Sequence, residues 1–74
     1  MADWRAASEQ ARTLYSLASA DALREAGVPI ERQMLMQAFK LCMESEAARA
    51  ESSALLGDVS YECATAFQEG DYSD

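Results

Sequence analysis

Between Met34 and Met43 the chain reads Met-Leu-Met-Gln-Ala-Phe-Lys-Leu-Cys-Met, and its apolar residues cover an arc of roughly 220° when wound at 100° per residue. A helix lying on one neighbour needs an apolar stripe only a little wider than about 100°. Roughly half of this surface therefore calls for something beyond an adjacent helix. Gln33, Gln37, Lys40 and Glu44 mark the one narrow polar stripe. Pro29 suits a first helical turn, where its missing N–H is not needed, and Glu31 complements the positive end of the helix dipole. This second helix is expected from about residue 29 to 56.

Before it, Trp4, Ala7, Ala11, Leu14, Tyr15, Ala18, Ala22 and Ala26 fall on one helical face, with Arg5, Glu9, Arg12, Ser16 and Ser19 on another. That spacing predicts an amphipathic helix over about 3–26, capped by Asp3. Gly27 is placed to take the left-handed conformation that ends it, with Val28 reaching back to Leu23 as in a Schellman closure. Only Gly27 and Val28 separate the two helices, so they fold back antiparallel. Beyond them Gly57 interrupts the pattern, Asp58 is a candidate cap, and Val59, Cys63, Ala66 and Phe67 share a face of a short helix over about 58–69. Tyr72 and the rest of residues 70–74 are expected to fray. The predicted fold is all-α: one domain, residues 1–74, an antiparallel helical hairpin with a short third helix.

Charge divides the chain. Residues 1–43 hold as many acids as bases, whereas residues 44–74 hold Glu44, Glu46, Glu51, Asp58, Glu62, Glu69, Asp71 and Asp74 against Arg49 alone, so the whole net charge of -7 lies there. Such a segment serves as a solvated face, as a surface for a basic partner, or as a mimic of nucleic-acid phosphates. Direct nucleic-acid binding is disfavoured at this charge.

Catalytic chemistry finds little to work with. The chain has no histidine, so a Ser-His or Cys-His pair cannot be assembled within it. Two distant cysteines without histidine fall short of a structural zinc site, and no glycine-rich phosphate loop or calcium-loop spacing occurs. No enzyme, metal or cofactor is expected. Cys42 and Cys63 read as reduced core thiols rather than as a disulfide framework. The charged N-terminal stretch is unlike a signal peptide and no run approaches a membrane span, which makes the cytoplasm the default location.

A chain this small, with nothing recognised that staples it internally, gains from association. The sequence therefore points to a protein-binding module. Met34, Ala38 and Leu41 are assigned to the contact with the first helix. Leu35, Met36, Phe39, Cys42 and Met43 are assigned to the intermolecular face, where neighbouring methionines make an adaptable surface.

An acidic chain whose first helix ends in Arg-Glu-Ala-Gly-Val-Pro-Ile-Glu-Arg-Gln, followed by a second helix rich in Met, Leu, Phe and Ala, resembles the small helical-hairpin co-chaperones of type III secretion needle or pilus subunits. The resemblance spans roughly residues 10–56. It implies a hairpin that clamps onto a helical-repeat chaperone of the tetratricopeptide type and helps keep the needle or pilus subunit soluble. Leu35, Met36, Phe39 and Met43 would dock on that chaperone. Two other readings are a homodimeric four-helix-bundle regulator using the same apolar face, and an acidic phage-type inhibitor or nucleic-acid mimic using Glu44 to Asp74.

Overall fold

Four helices account for the secondary structure of residues 1–51 and 53–69, which the computed structural model describes: α1 (Ala2–Ala6), α2 (Glu9–Glu25), α3 (Arg32–Arg49) and α4 (Leu56–Gln68). No strand occurs among the described residues, so the fold is all-α as the pattern predicts. The expected fraying of residues 70–74 lies outside the described part.

The first expected helix is two helices. Ala7 takes an extended conformation, and Ser8 caps α2 by accepting a hydrogen bond from the Ala11 amide at 3.1 Å. Asp3 lies inside α1 and does not cap it. The break frees α1 to turn its apolar side inward, where Met1 and Trp4 are buried. Arg12 holds the junction from α2. Its Nε donates to the Trp4 carbonyl at 2.9 Å, and its guanidinium lies 5.7 Å from the centre of the Trp4 ring.

At the other end of α2 the expected closure forms. Gly27 has φ +107, the Val28 amide donates to the Leu23 carbonyl at 3.1 Å, the Gly27 amide donates to Arg24 at 3.0 Å, and Leu23 and Val28 are both buried. Pro29 and Ile30 precede α3 rather than opening it. Glu31 is the N-cap, its carboxylate accepting from the Gln33 and Met34 amides at 3.0 and 3.1 Å, and this holds its pKa below the usual carboxylate value. α3 then returns antiparallel to α2, as cross-links at both ends show: Arg32 with Asp21 near the turn, Lys40 with Glu9 and Arg12 with Glu44 near the far end.

α4 begins at Leu56, so Gly57 sits in its first turn instead of breaking the chain, and Asp58 is inside the helix rather than at its cap. Its start lies beside the middle of α2, where the Tyr15 hydroxyl donates to Ser60 Oγ at 2.8 Å, and its end reaches the 26–28 turn. It therefore runs parallel to α2 and antiparallel to α3. Its second tie is covalent. Cys42 and Cys63 form a disulfide with Cα atoms 6.1 Å apart, so the expectation of two reduced thiols is overturned. Helical spacing places each cysteine on an inward face, but pairing depends on two helices meeting, which neither local pattern encodes.

The core is built on α3. Leu35, Phe39 and Met43 are almost fully buried, with Ala20 and Leu23 of α2, Val59 and Cys63 of α4, and Trp4 of α1 around them. Trp4, Tyr15 and Phe39 pack in sequence, the first pair edge-on and the second tilted, with ring centres 6.2 and 6.4 Å apart. The accessible surface of 4626 Å² compares with about 4,500 Å² for a folded monomer of this mass. One chain thus buries a core of its own, with an accessible surface ordinary for its size.

Candidate docking surface

All five residues assigned to an intermolecular face turn inward. Leu35, Met36, Phe39 and Met43 are buried in the chain's own core, and Cys42 is tied to Cys63. Met34 and Leu41, assigned to the contact with the first helix, are 65% and 69% exposed. The facial assignment is reversed. α3 is the central helix, and the part of its apolar arc formed by Leu35, Phe39 and Met43 is shared by α2 on one side and α4 on the other, while Met34 and Leu41 stay outside. A second partner for this arc is α4 of the same chain. The stripe Val59, Cys63, Ala66 and Phe67 is its sequence signal, since that face also needs something to cover it.

The polar stripe of α3 is less exposed than its composition suggests. Lys40 bridges to Glu9 and donates to Thr13 Oγ1 at 3.2 Å, while Glu44 pairs with Arg12 at 3.7 Å. The Lys40 ammonium, by its hydrogen bond, pulls the Glu9 pKa down, and Arg32 does the same to Asp21. Lys40 and Glu44 also line a hollow of about 350 Å³ with Glu9, Gln37 and Leu41. This hollow is ringed by ion pairs already matched within the molecule.

α2 shows the other reversal. Its core side is Ser16, Ala20 and Leu23 with the half-buried Tyr15 and Leu17, whereas Ala11, Leu14, Ala18 and Ala22 face outward. Alanines lose little by exposure, so an alanine stripe competes poorly for the core against Leu23 and Tyr15. The buried serine is accommodated because its hydroxyl donates to the Arg12 carbonyl at 2.9 Å, one turn back.

Next to this stripe lies a groove of about 280 Å³ between α2 and α4. Ser19 and Ala22 form one wall, Gly57, Ser60, Tyr61 and Ala64 the other, and Phe39 is at its base. Gly57 leaves the wall open, with no atom within 4 Å of where a Cβ would be. Tyr61, at the rim, is 72% exposed, and Leu14 on the neighbouring stripe is 58% exposed. Asp58, Glu62 and Glu69 follow on the outer side of α4, and α4 contains no lysine or arginine.

Both cysteines are in the disulfide, and among the described residues no three His, Cys, Asp or Glu come together as a metal site. Trp4 Nε1 is a buried donor without a partner, packed among rings and lining none of these hollows. Among the described residues no helix is long and apolar enough to cross a membrane.

No family model, characterised protein or solved structure matches this chain.

Proposed function

We propose that the chain is a protein-binding module that acts as a preformed four-helix scaffold. The observation that carries this reading is the pairing of a closed core with large apolar side chains left outside it: Leu14 and Tyr61 on the two helices flanking the α2–α4 groove, Met34 and Leu41 on α3, and Leu55 before α4. Clustered exposed apolar residues on a small folded chain mark interaction sites. A chain folded before binding also avoids the ordering cost that a segment folding on its partner must meet.

The co-chaperone of a needle or pilus subunit is a narrower version of this proposal. It requires docking through another surface than the one the resemblance assigns, because those four positions are used by the chain's own core. A homodimer through the α2–α4 face would set Asp58, Glu62 and Glu69 of one copy against the same groups of another. The Cys42–Cys63 bridge favours an oxidising compartment over the cytoplasm.

The test is photocrosslinking in the source cell, with a photoreactive amino acid placed in turn at Leu14, Leu41 and Tyr61. A discrete adduct with another protein from at least one exposed site is expected. Absence of any adduct from all three, in a folded and expressed chain, would sink the reading.

A further inference from the structure

We infer that the α2–α4 face receives an amphipathic helix of another protein, one with a ridge of small and leucine-like residues flanked by lysine or arginine. The inference rests on the protein-binding reading and specifies its surface and the chemistry of its partner.

Shape supplies half of the argument. Ala11, Leu14, Ala18 and Ala22 recur at i, i+3, i+7 and i+11 along α2 and form a smooth outward ridge with one leucine in it. Small side chains let a second helix approach closely, and the groove beside them, open at Gly57, gives a larger side chain of that helix somewhere to enter. Tyr61 stands at the edge as an amphipathic anchor, apolar in its ring and able to donate from its hydroxyl.

Charge supplies the other half. Five of the six bases are engaged within the molecule, Arg5 with the Ala47 carbonyl, Arg12 with Glu44, Arg32 with Asp21, Lys40 with Glu9 and Arg49 with Glu46, while Arg24 is exposed in the last turn of α2. The acids beside the groove are not matched in this way. Asp58 on α4, Glu69 just past its end and Glu25 at the end of the α2 ridge form no ion pair among the described residues, while Glu62 lies within electrostatic reach of Arg49, which pairs with Glu46. No base lies on α4 or on the α2 ridge. An apolar groove with a one-sided acidic rim is complementary to a basic amphipathic helix, and it repels both a second copy of this chain and a nucleic acid.

The experiment titrates the oxidised full chain, isotope-labelled for NMR, with a synthetic leucine-alanine-lysine amphipathic helix. A scrambled peptide of identical composition and a version with glutamate in place of lysine serve as comparisons. Expected shifts centre on Leu14, Ala18, Ala22, Gly57 and Tyr61, with the scrambled and acidic peptides binding at least about tenfold more weakly. Gly57→Leu fills the groove from an open position, and Tyr61→Ser removes the anchor from an exposed one. Each is expected to weaken binding about tenfold while leaving the circular dichroism unchanged.

Equal binding of the scrambled peptide would reduce the effect to charge and overturn the inference. So would indifference to Tyr61→Ser, or a dimer of the free chain that buries Tyr61. Shifts confined to Met34 and Leu41 would overturn it too, yet leave the protein-binding reading standing, whereas the crosslinking experiment tests that reading independently.

Discussion

Gly27 and Gly57 differ in what they require of the residue that replaces them. Gly27 has φ +107, which side chains other than glycine rarely adopt, so Gly27→Ala is expected to lower stability by about 1 kcal/mol although there is room for the methyl group. Gly57 lies in the first turn of α4 with open space before it, so Gly57→Ala is expected to raise stability by up to about 1 kcal/mol. For a domain of this size each kcal/mol moves the melting temperature by roughly 4–8 °C, so a pair of thermal melts reads opposite signs. Trp4 gives a second contrast. Trp4→Ala removes a buried ring that meets Tyr15 edge-on and is expected to cost about 3–5 kcal/mol in denaturant unfolding. Trp4→Phe keeps much of the packing and eliminates the unpaired indole N–H, so it is expected to cost less than half as much.

Helix ends govern the next scale. Leu55 occupies the N-cap of α4 with φ -80 and ψ 134, a conformation suited to a capping hydroxyl, but its side chain can accept nothing. Leu55→Ser is expected to add about 1 kcal/mol, read as a higher melting temperature. At the start of α3 the cap is Glu31, whose pKa is lowered by the Gln33 and Met34 amides that its carboxylate accepts. A lowered folded pKa gives stability that is present above the unfolded value and lost as pH falls through the folded one. Melting temperature is therefore expected to hold from neutral pH to about pH 5 and to decline below it, with a shallower decline in Glu31→Ala. Asp21 and Glu9 add to the same acid limb through Arg32 and Lys40.

These ends also show how far the sequence could be read. The closure at Leu23, Gly27 and Val28 is legible because it depends on neighbours in the chain and on one glycine. The Ser8 cap had a local signal too, serine with Glu9 and Gln10 after it, but the continuous alanine periodicity across it favoured a single helix. The inward face of α3 was not legible in the same way. Two apolar halves of its surface were apparent, Met34 with Leu41 and Leu35 with Phe39 and Met43, and choosing between them required knowing that α4 folds back beside α2. The α2–α4 groove was hidden for the same reason, since Ser19, Ala22, Gly57 and Tyr61 meet only in the folded chain.

At the scale of the molecule, the disulfide restricts the unfolded chain more than any noncovalent contact does. Its loop spans 21 residues, for which the loss of chain entropy corresponds to about 3 kcal/mol. Reduction, or Cys42→Ala with Cys63→Ala, is expected to lower stability by roughly that amount, a substantial part of what a small domain possesses. Alkylation of the chain in its source cell before lysis should find no free thiol. Two accessible thiols there would place the working protein in its reduced state.

The same bond changes what a cut in the backbone would mean. Residues 50–55 join α3 to α4, and Glu51, Ser53 and Leu55 are exposed along that connection. A protease specific for glutamate that cleaves after Glu51 would make two polypeptides, yet α4 would remain fastened to α3 through Cys42 and Cys63. The nicked product is expected to run as one species on a denaturing gel without reductant and as two fragments with it. A severed chain of this kind could persist as a heterodimer of its own halves.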